Sequence, residues 1–275
     1  MRLLQCQPGG NLGLTEVFGG HIPPYAILSH TWGADDEEVT LWDILNDGGK
    51  EKAGYKKIRF CAEQARRDGL RYFWVDSCCI DKSSSAELTE AINSMFAWYH
   101  RATKCYAYLS DVSITCDFSR SRWKQEFKRS RWFTRSWTLQ ELLAPASVDF
   151  FSREGERLGD KTTLREEICS ISGISVQALQ GTPLSNFSVS ERMSWAGKRV
   201  AKREEDEAYS LLGIFDVHMP LIYGEGRSKA FIRLRKEIEQ STGYIDYTWL
   251  HALYSLGPRC HLNWQELILH YVYSE

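Results

Sequence analysis

The sequence predicts an α/β fold: a parallel sheet with helices on both faces, followed by a helical C-terminal extension. Three observations lead there. Short apolar runs recur at residues 25–29 (YAILS), 72–75 (YFWV), 104–109 (KCYAYL) and 147–151 (SVDFF), each of strand length. Segments with helical spacing separate them, and a parallel neighbour needs such a crossover, which is right-handed almost without exception. Polar residues gather where the runs stop, at Ser29 to Trp32, Asp76 to Asp81 and Ser110-Asp111. In open sheets of this class ligands sit beyond the carboxyl ends of the strands.

In chain order, the first strand is entered after Pro23-Pro24 and left through His30-Thr31-Trp32-Gly33. At residues 55–68, Ile58, Cys61, Ala62 and Ala65 keep helical spacing, Arg59, Glu63, Arg66 and Arg67 fill the opposite side, and Gly69 stops the helix. The second strand runs into DSCCIDK at residues 76–82. Serines 83–85 form a loop, and Leu88, Ile92, Met95, Phe96 and Tyr99 mark the next amphipathic helix. The third strand follows, then a polar, basic insertion at 119–129, a helix at 130–145 and the fourth strand. Beyond residue 162 helices are expected at 163–171, 190–200, 205–212 and 228–240. PLIYGEG at 220–226 reads as a turn, because its GxG lacks the preceding strand that a dinucleotide fingerprint requires. The α/β core is expected at about 20–155, the extension at about 160–240, and residues 241–275 have an irregular aromatic composition that assigns them to neither.

The 275 residues fit one large domain or two small ones. Lys plus Arg number 34 against 36 Asp plus Glu, so the net charge of −2 offers no global attraction to nucleic acid or anionic membrane. Thirteen per cent aromatic and 43% hydrophobic residues argue against disorder. The eight cysteines show no CxxC spacing and read as reduced core thiols of a cytoplasmic protein rather than a zinc site or disulfide framework. No run approaches a membrane span or a signal peptide.

The most informative stretch is SRWFTRSWTLQELLAP at 130–145. As a helix its last turns place Leu139, Leu142 and Leu143 on one side, while Trp137, Gln140 and Glu141 share another, with Arg131 and Arg135 earlier. A carboxylate beside an indole and two guanidinium groups suits a ligand with a flat cationic ring and phosphates. In the competing reading Thr138 and Glu141 form a capping box, which leaves only about six helical residues before Pro145; the longer helix is favoured because ~11 is usual.

YAILSHTWG at 25–33, YFWVDSCCIDK at 72–82, SRWFTRSWTLQELLAP at 130–145 and EDEAYSLLGIFDVHMPLIYGEG at 205–226, with the opening MRLL, resemble the fungal heterokaryon incompatibility (HET) domain over about residues 1–240. The resemblance implies an intracellular effector of non-self recognition that triggers cell death. It also implies a distant similarity to Toll/interleukin-1 receptor (TIR) domains, whose sheet is flavodoxin-like and some of which cleave NAD at the nicotinamide–ribose bond. The TIR glutamate lies in a motif similar to Ser-x-Trp-x-Leu-x-Glu-Leu. Residues 136–142 keep Ser, Trp, Leu, Glu and Leu, with Ser136 and Trp137 adjacent rather than one apart.

That resemblance makes Glu141 the expected catalytic group. Cleavage leaves positive charge on the ribose, which a fixed carboxylate can stabilise without a metal. Ser29, His30, Trp32, Asp76, Asp81, Arg131, Arg135 and Trp137 are the expected contacts to NAD or NADP: a tryptophan for ring stacking, arginines for pyrophosphate, aspartates for ribose, and His30 for phosphate or proton transfer. Each has a plainer alternative: core packing for tryptophans, above all Trp74, loop bonding for His30, and helix capping for the aspartates. A Cys79–His30 nucleophilic pair is the lesser reading of those residues, and a serine hydrolase lacks its GxSxG elbow. NAD is thus expected as substrate, with no permanently bound cofactor or metal. Activation is expected through homo-oligomers driven by a sensor on another chain. The alternative is a non-catalytic death-signalling module that acts by self-assembly.

Overall fold

The computed structural model describes residues 1–7, 12–17, 21–114 and 122–243. Its centre is one sheet of seven strands: β1 (Arg2–Cys6), β2 (Leu12–Glu16), β3 (Tyr25–His30), β4 (Tyr72–Trp74), β5 (Lys104–Tyr108), β6 (Val148–Phe151) and β7 (Arg157–Asp160). The spatial order is β2-β1-β4-β3-β5-β6-β7. Strands β4, β3, β5 and β6 run parallel. Taken in chain order they read second, first, third, fourth, the flavodoxin-like arrangement, whose switch point lies between β3 and β5.

All four expected strands form, and they make up the whole parallel block. The sheet is mixed rather than purely parallel, because an antiparallel β1–β2 hairpin extends the β4 edge and β7 returns antiparallel to β6. These three strands escape a reading of apolar runs. In β7 (RLGD) only Leu158 is apolar, and β2 (LGLTE) carries a glycine at its one buried position.

Alternation along the strands divides the helices between two faces. Phe60 of α2 (Tyr55–Arg67) packs on Tyr106, Tyr108 and Phe151, with ring centroids 6.4, 5.1 and 4.9 Å apart. On the other face, Trp98 and Tyr99 of α4 (Ser85–Arg101) meet Trp74, and Trp132 and Phe127 meet Phe150. Helix α2 buries Ile58, Cys61, Ala62 and Ala65 as their spacing predicts, and Gly69 follows it with φ +73°. The Ser84 hydroxyl caps α4 by accepting from the Glu87 amide.

Residues 130–145 do not form the long helix expected. A 3₁₀ turn at Arg131–Thr134 precedes α6 (Thr138–Leu143), six residues long. Arg135 between them is extended and bridges Val200, which breaks the helix. All six residues of α6 are buried, so neither face is free. The capping box is absent as well: the Thr138 hydroxyl turns back to the Trp132 and Arg135 carbonyls.

Other differences are local. Helix α1 (Leu41–Leu45) begins in a Thr40–Asp43 capping box, and after Val75 the chain turns into α3 (Asp76–Cys79) instead of continuing as a strand. The basic insertion contains α5 (Arg122–Arg129), anchored by buried Phe127; residues 119–121 lie outside the described residues. The extension holds α7 (Arg165–Ser172), α8 (Val176–Leu179), α9 (Val189–Ser194), α10 (Asp206–Tyr209), α11 (Leu212–Phe215) and α12 (Arg227–Thr242). The helix expected at 190–200 stops at Ser194, and the one at 205–212 is split in two. The turn at 220–226 forms, and the Gly224 and Gly226 amides donate to the Glu205 carboxylate. Residues 244–275 lie outside the described residues. No described helix is long and apolar enough to cross a membrane.

Candidate functional site

Ser29 and His30 end β3 at the switch point, and strand alternation sends their side chains to opposite faces. Ser29, fully buried, points to the α6 side. Its Oγ lies 2.8 Å from the Trp132 Nε1 and against the Glu141 Oε2. An indole N–H can only donate, so the Ser29 oxygen accepts from Trp132 and its own hydrogen goes to Glu141. The Tyr99 hydroxyl, in the same buried neighbourhood, donates to the Leu28 carbonyl at 2.9 Å.

Glu141 is 6% exposed. Burial pushes its pKa from 4.5 up to about 8; the Asp76 charge adds to this, while the Ser29 hydroxyl and the Arg199 guanidinium oppose it. The carboxyl is therefore largely protonated at neutral pH. Such a displaced carboxyl at a switch point has the physical marks of a functional group.

On the α2 side, the His30 Nδ1 is 3.7 Å from Asp76 and its Nε2 is 3.9 Å from Glu38, both beyond hydrogen-bond reach. Burial, with the Lys57 charge, holds the His30 pKa well below its usual value, so the ring is neutral. The His30 Nε2 and the Asp76 Oδ1 are buried with no hydrogen-bond partner among the described residues. The other Asp76 oxygen accepts from the Trp32 indole at 2.8 Å, and the Lys82 ammonium lies 3.5 Å from the centre of the Trp32 ring. Lys57 donates to Glu38, which also accepts from the Gly33 amide at 2.7 Å.

The structure thus gathers Glu141, Ser29, His30, Trp32 and Asp76 around one strand end. The remaining expected contacts have other partners. Asp81 accepts from the Ser83 amide and hydroxyl, a turn-closing arrangement. Arg131 is exposed and faces Asp111 at 3.8 Å. Arg135 is half-buried, and its carbonyl accepts from Arg199. The Trp137 side chain is partly buried and packs against the core. Trp74 is fully buried core. Cys79 is buried, with its sulfur 3.4 Å from the Val75 amide, and its contact together with burial holds the Cys78 thiol up. Six cysteines are free; Cys116 and Cys260 lie outside the described residues. No group of three or more His, Cys, Asp and Glu side chains suited to a metal occurs among the described residues.

Several neighbours were not singled out in the sequence. Trp132 lies within the key stretch, where no spacing marks it out, and Tyr99 reads only as part of an amphipathic helix face. Arg199 comes from the extension, 61 residues from the Thr138 hydroxyl it binds, and no local pattern marks it.

A doubly wound α/β domain with a buried carboxyl at its switch point is the class this geometry defines. Residues 25–118 match the family described as heterokaryon incompatibility protein (HET). The chain is 57% identical over 249 residues to the vegetative incompatibility protein HET-E-1 of Podospora anserina, an alignment covering 89% of this chain and 18% of that relative. This chain belongs to the HET-domain proteins. No solved structure matches it significantly.

Proposed function

We propose that this chain is the effector domain of a heterokaryon (vegetative) incompatibility system and that it triggers cell death by cleaving NAD at the nicotinamide–ribose bond. One observation carries the catalytic part: a carboxyl at the switch point, held by the Ser29 hydroxyl and largely protonated at rest. A cationic nicotinamide ring within about 4–6 Å favours the ionised form of such a group. The charge then stabilises the developing ribose cation, an interaction strengthened in the transition state.

His30, Trp32 and Asp76 supply the remaining contacts, and Trp32 stacks on the ring once Lys82 swings away. Arg131 and Arg135 take the pyrophosphate of NAD or NADP, with Trp137 beside them and Asp81 at the ribose. The domain works in the cytoplasm as a homo-oligomer, clustered by a sensor or incompatibility partner. A TIR-like sheet order supports the comparison with NAD-cleaving domains.

The near-complete burial of Glu141 favours a second reading, in which the carboxyl is structural and the domain signals by self-assembly alone. Expression of wild type and Glu141→Gln in a fungal host separates the two. Growth arrest with falling cellular NAD, abolished by the variant at equal protein level, supports catalysis. Arrest by both variants without NAD loss overturns it in favour of assembly.

A further inference from the structure

We infer that Arg199 is a positioning residue for Glu141, fixing the segment that carries the carboxyl and supplying the positive charge that faces it. The residue is 5% exposed. Nη1 donates to the Arg135 carbonyl at 2.9 Å and to the Thr138 hydroxyl at 2.8 Å, and Nε donates to the Trp195 carbonyl at 3.3 Å. Two backbone bonds flank this contact: the Val200 amide to the Thr134 carbonyl at 2.7 Å, and the Ser136 amide to the Val200 carbonyl at 3.0 Å. The extension therefore clamps the strand-like interruption that sets where α6 begins.

The clamp is connected to the carboxyl. Thr138 donates to the Trp132 carbonyl, the Trp132 indole donates to Ser29, and Ser29 donates to Glu141. Burying a guanidinium is costly unless a charge compensates it. Arg199 makes no ion pair within 4 Å among the described residues, and its Nη2 is buried there without a hydrogen-bond partner. The acidic group that acts on it is Glu141, and only in the ionised form. The groups facing Glu141 from the other packed elements are Ser29 on β3, Asp76 on α3, Tyr99 on α4 and the Cys105 thiol on β5. None of these is a cation; Arg199 opposes the Asp76 field from the start of α6, and the buried Lys161 ammonium, which donates to the Leu142 and Pro145 carbonyls, is the cation at the helix's other end.

The electrostatic part of this inference stands independently of NAD cleavage; its catalytic consequence rests on that reading. The test is the Glu141 titration, followed by carbon-13 NMR of the side-chain carboxyl in the full chain. Arg199→Met is expected to move the midpoint upward by ~1 pH unit, and Arg199→Lys by clearly less. Arg199→Gln keeps a donor to the Arg135 carbonyl and provides a folded charge-free variant where Met disrupts packing; it is expected to follow Met. An unchanged midpoint in the folded Met or Gln variant, or a Lys variant that matches them, overturns the assignment. In nicotinamide-release assays the pH profile of kcat is expected to move with the NMR midpoint. A wild type that never releases nicotinamide refutes the NAD reading and leaves the titration result intact.

Discussion

Ser29 has one hydroxyl hydrogen, and Trp132 decides where it goes. With the indole donating to the serine oxygen, that hydrogen is committed to Glu141. Ser29→Ala removes the donor that favours ionised Glu141 and strands the Trp132 N–H. It is expected to raise the Glu141 midpoint and to cost ~1–3 kcal/mol in chemical denaturation; an unchanged midpoint would contradict the relay. Glu141 itself predicts a pH signature. Its pKa is about 8 folded against 4.5 for the ordinary group, so the folded protein binds the proton more tightly. Its contribution to stability is complete below 4.5, declines as pH rises, and levels off above about 8. The stability of wild type minus that of Glu141→Gln is expected to fall across that window. A difference independent of pH means the carboxyl is ionised when folded.

At the scale of elements, α6 and α11 show what neighbours impose. The periodicity of residues 130–145 suits a continuous helix, and Glu141 was legible as its key polar group. The interruption at Arg135 was not, because Val200 creates it from a distant part of the chain. The 205–212 helix was likewise expected whole; it is split at Ser210-Leu211, with α11 lying against α4. Gly213 is packed so closely there that a Cβ would stand 2.1 Å from the Phe96 Cβ. Gly213→Ala is expected to destabilise the protein by ~1–3 kcal/mol, read from thermal or urea unfolding. A neutral substitution would mean that α11 can move away from α4 without cost.

Across the whole molecule, the parallel block was legible because each strand is a buried apolar run, and the polar ends of β3 and β4 marked the site. The β1–β2 hairpin and β7 were not legible, since β2 and β7 are edge strands with one buried position each and β1 has only two. Of the residues gathered at the candidate site, Ser29, His30, Trp32, Asp76 and Glu141 carry a signal in the sequence. The Trp132 relay and Arg199 depend on long-range contacts that local spacing does not encode. Nicotinamide release from NAD by the purified chain, free and artificially clustered, measures the proposed chemistry itself. Release by clustered wild type that disappears in Glu141→Ala is the predicted result; no release from folded, clustered protein would contradict it.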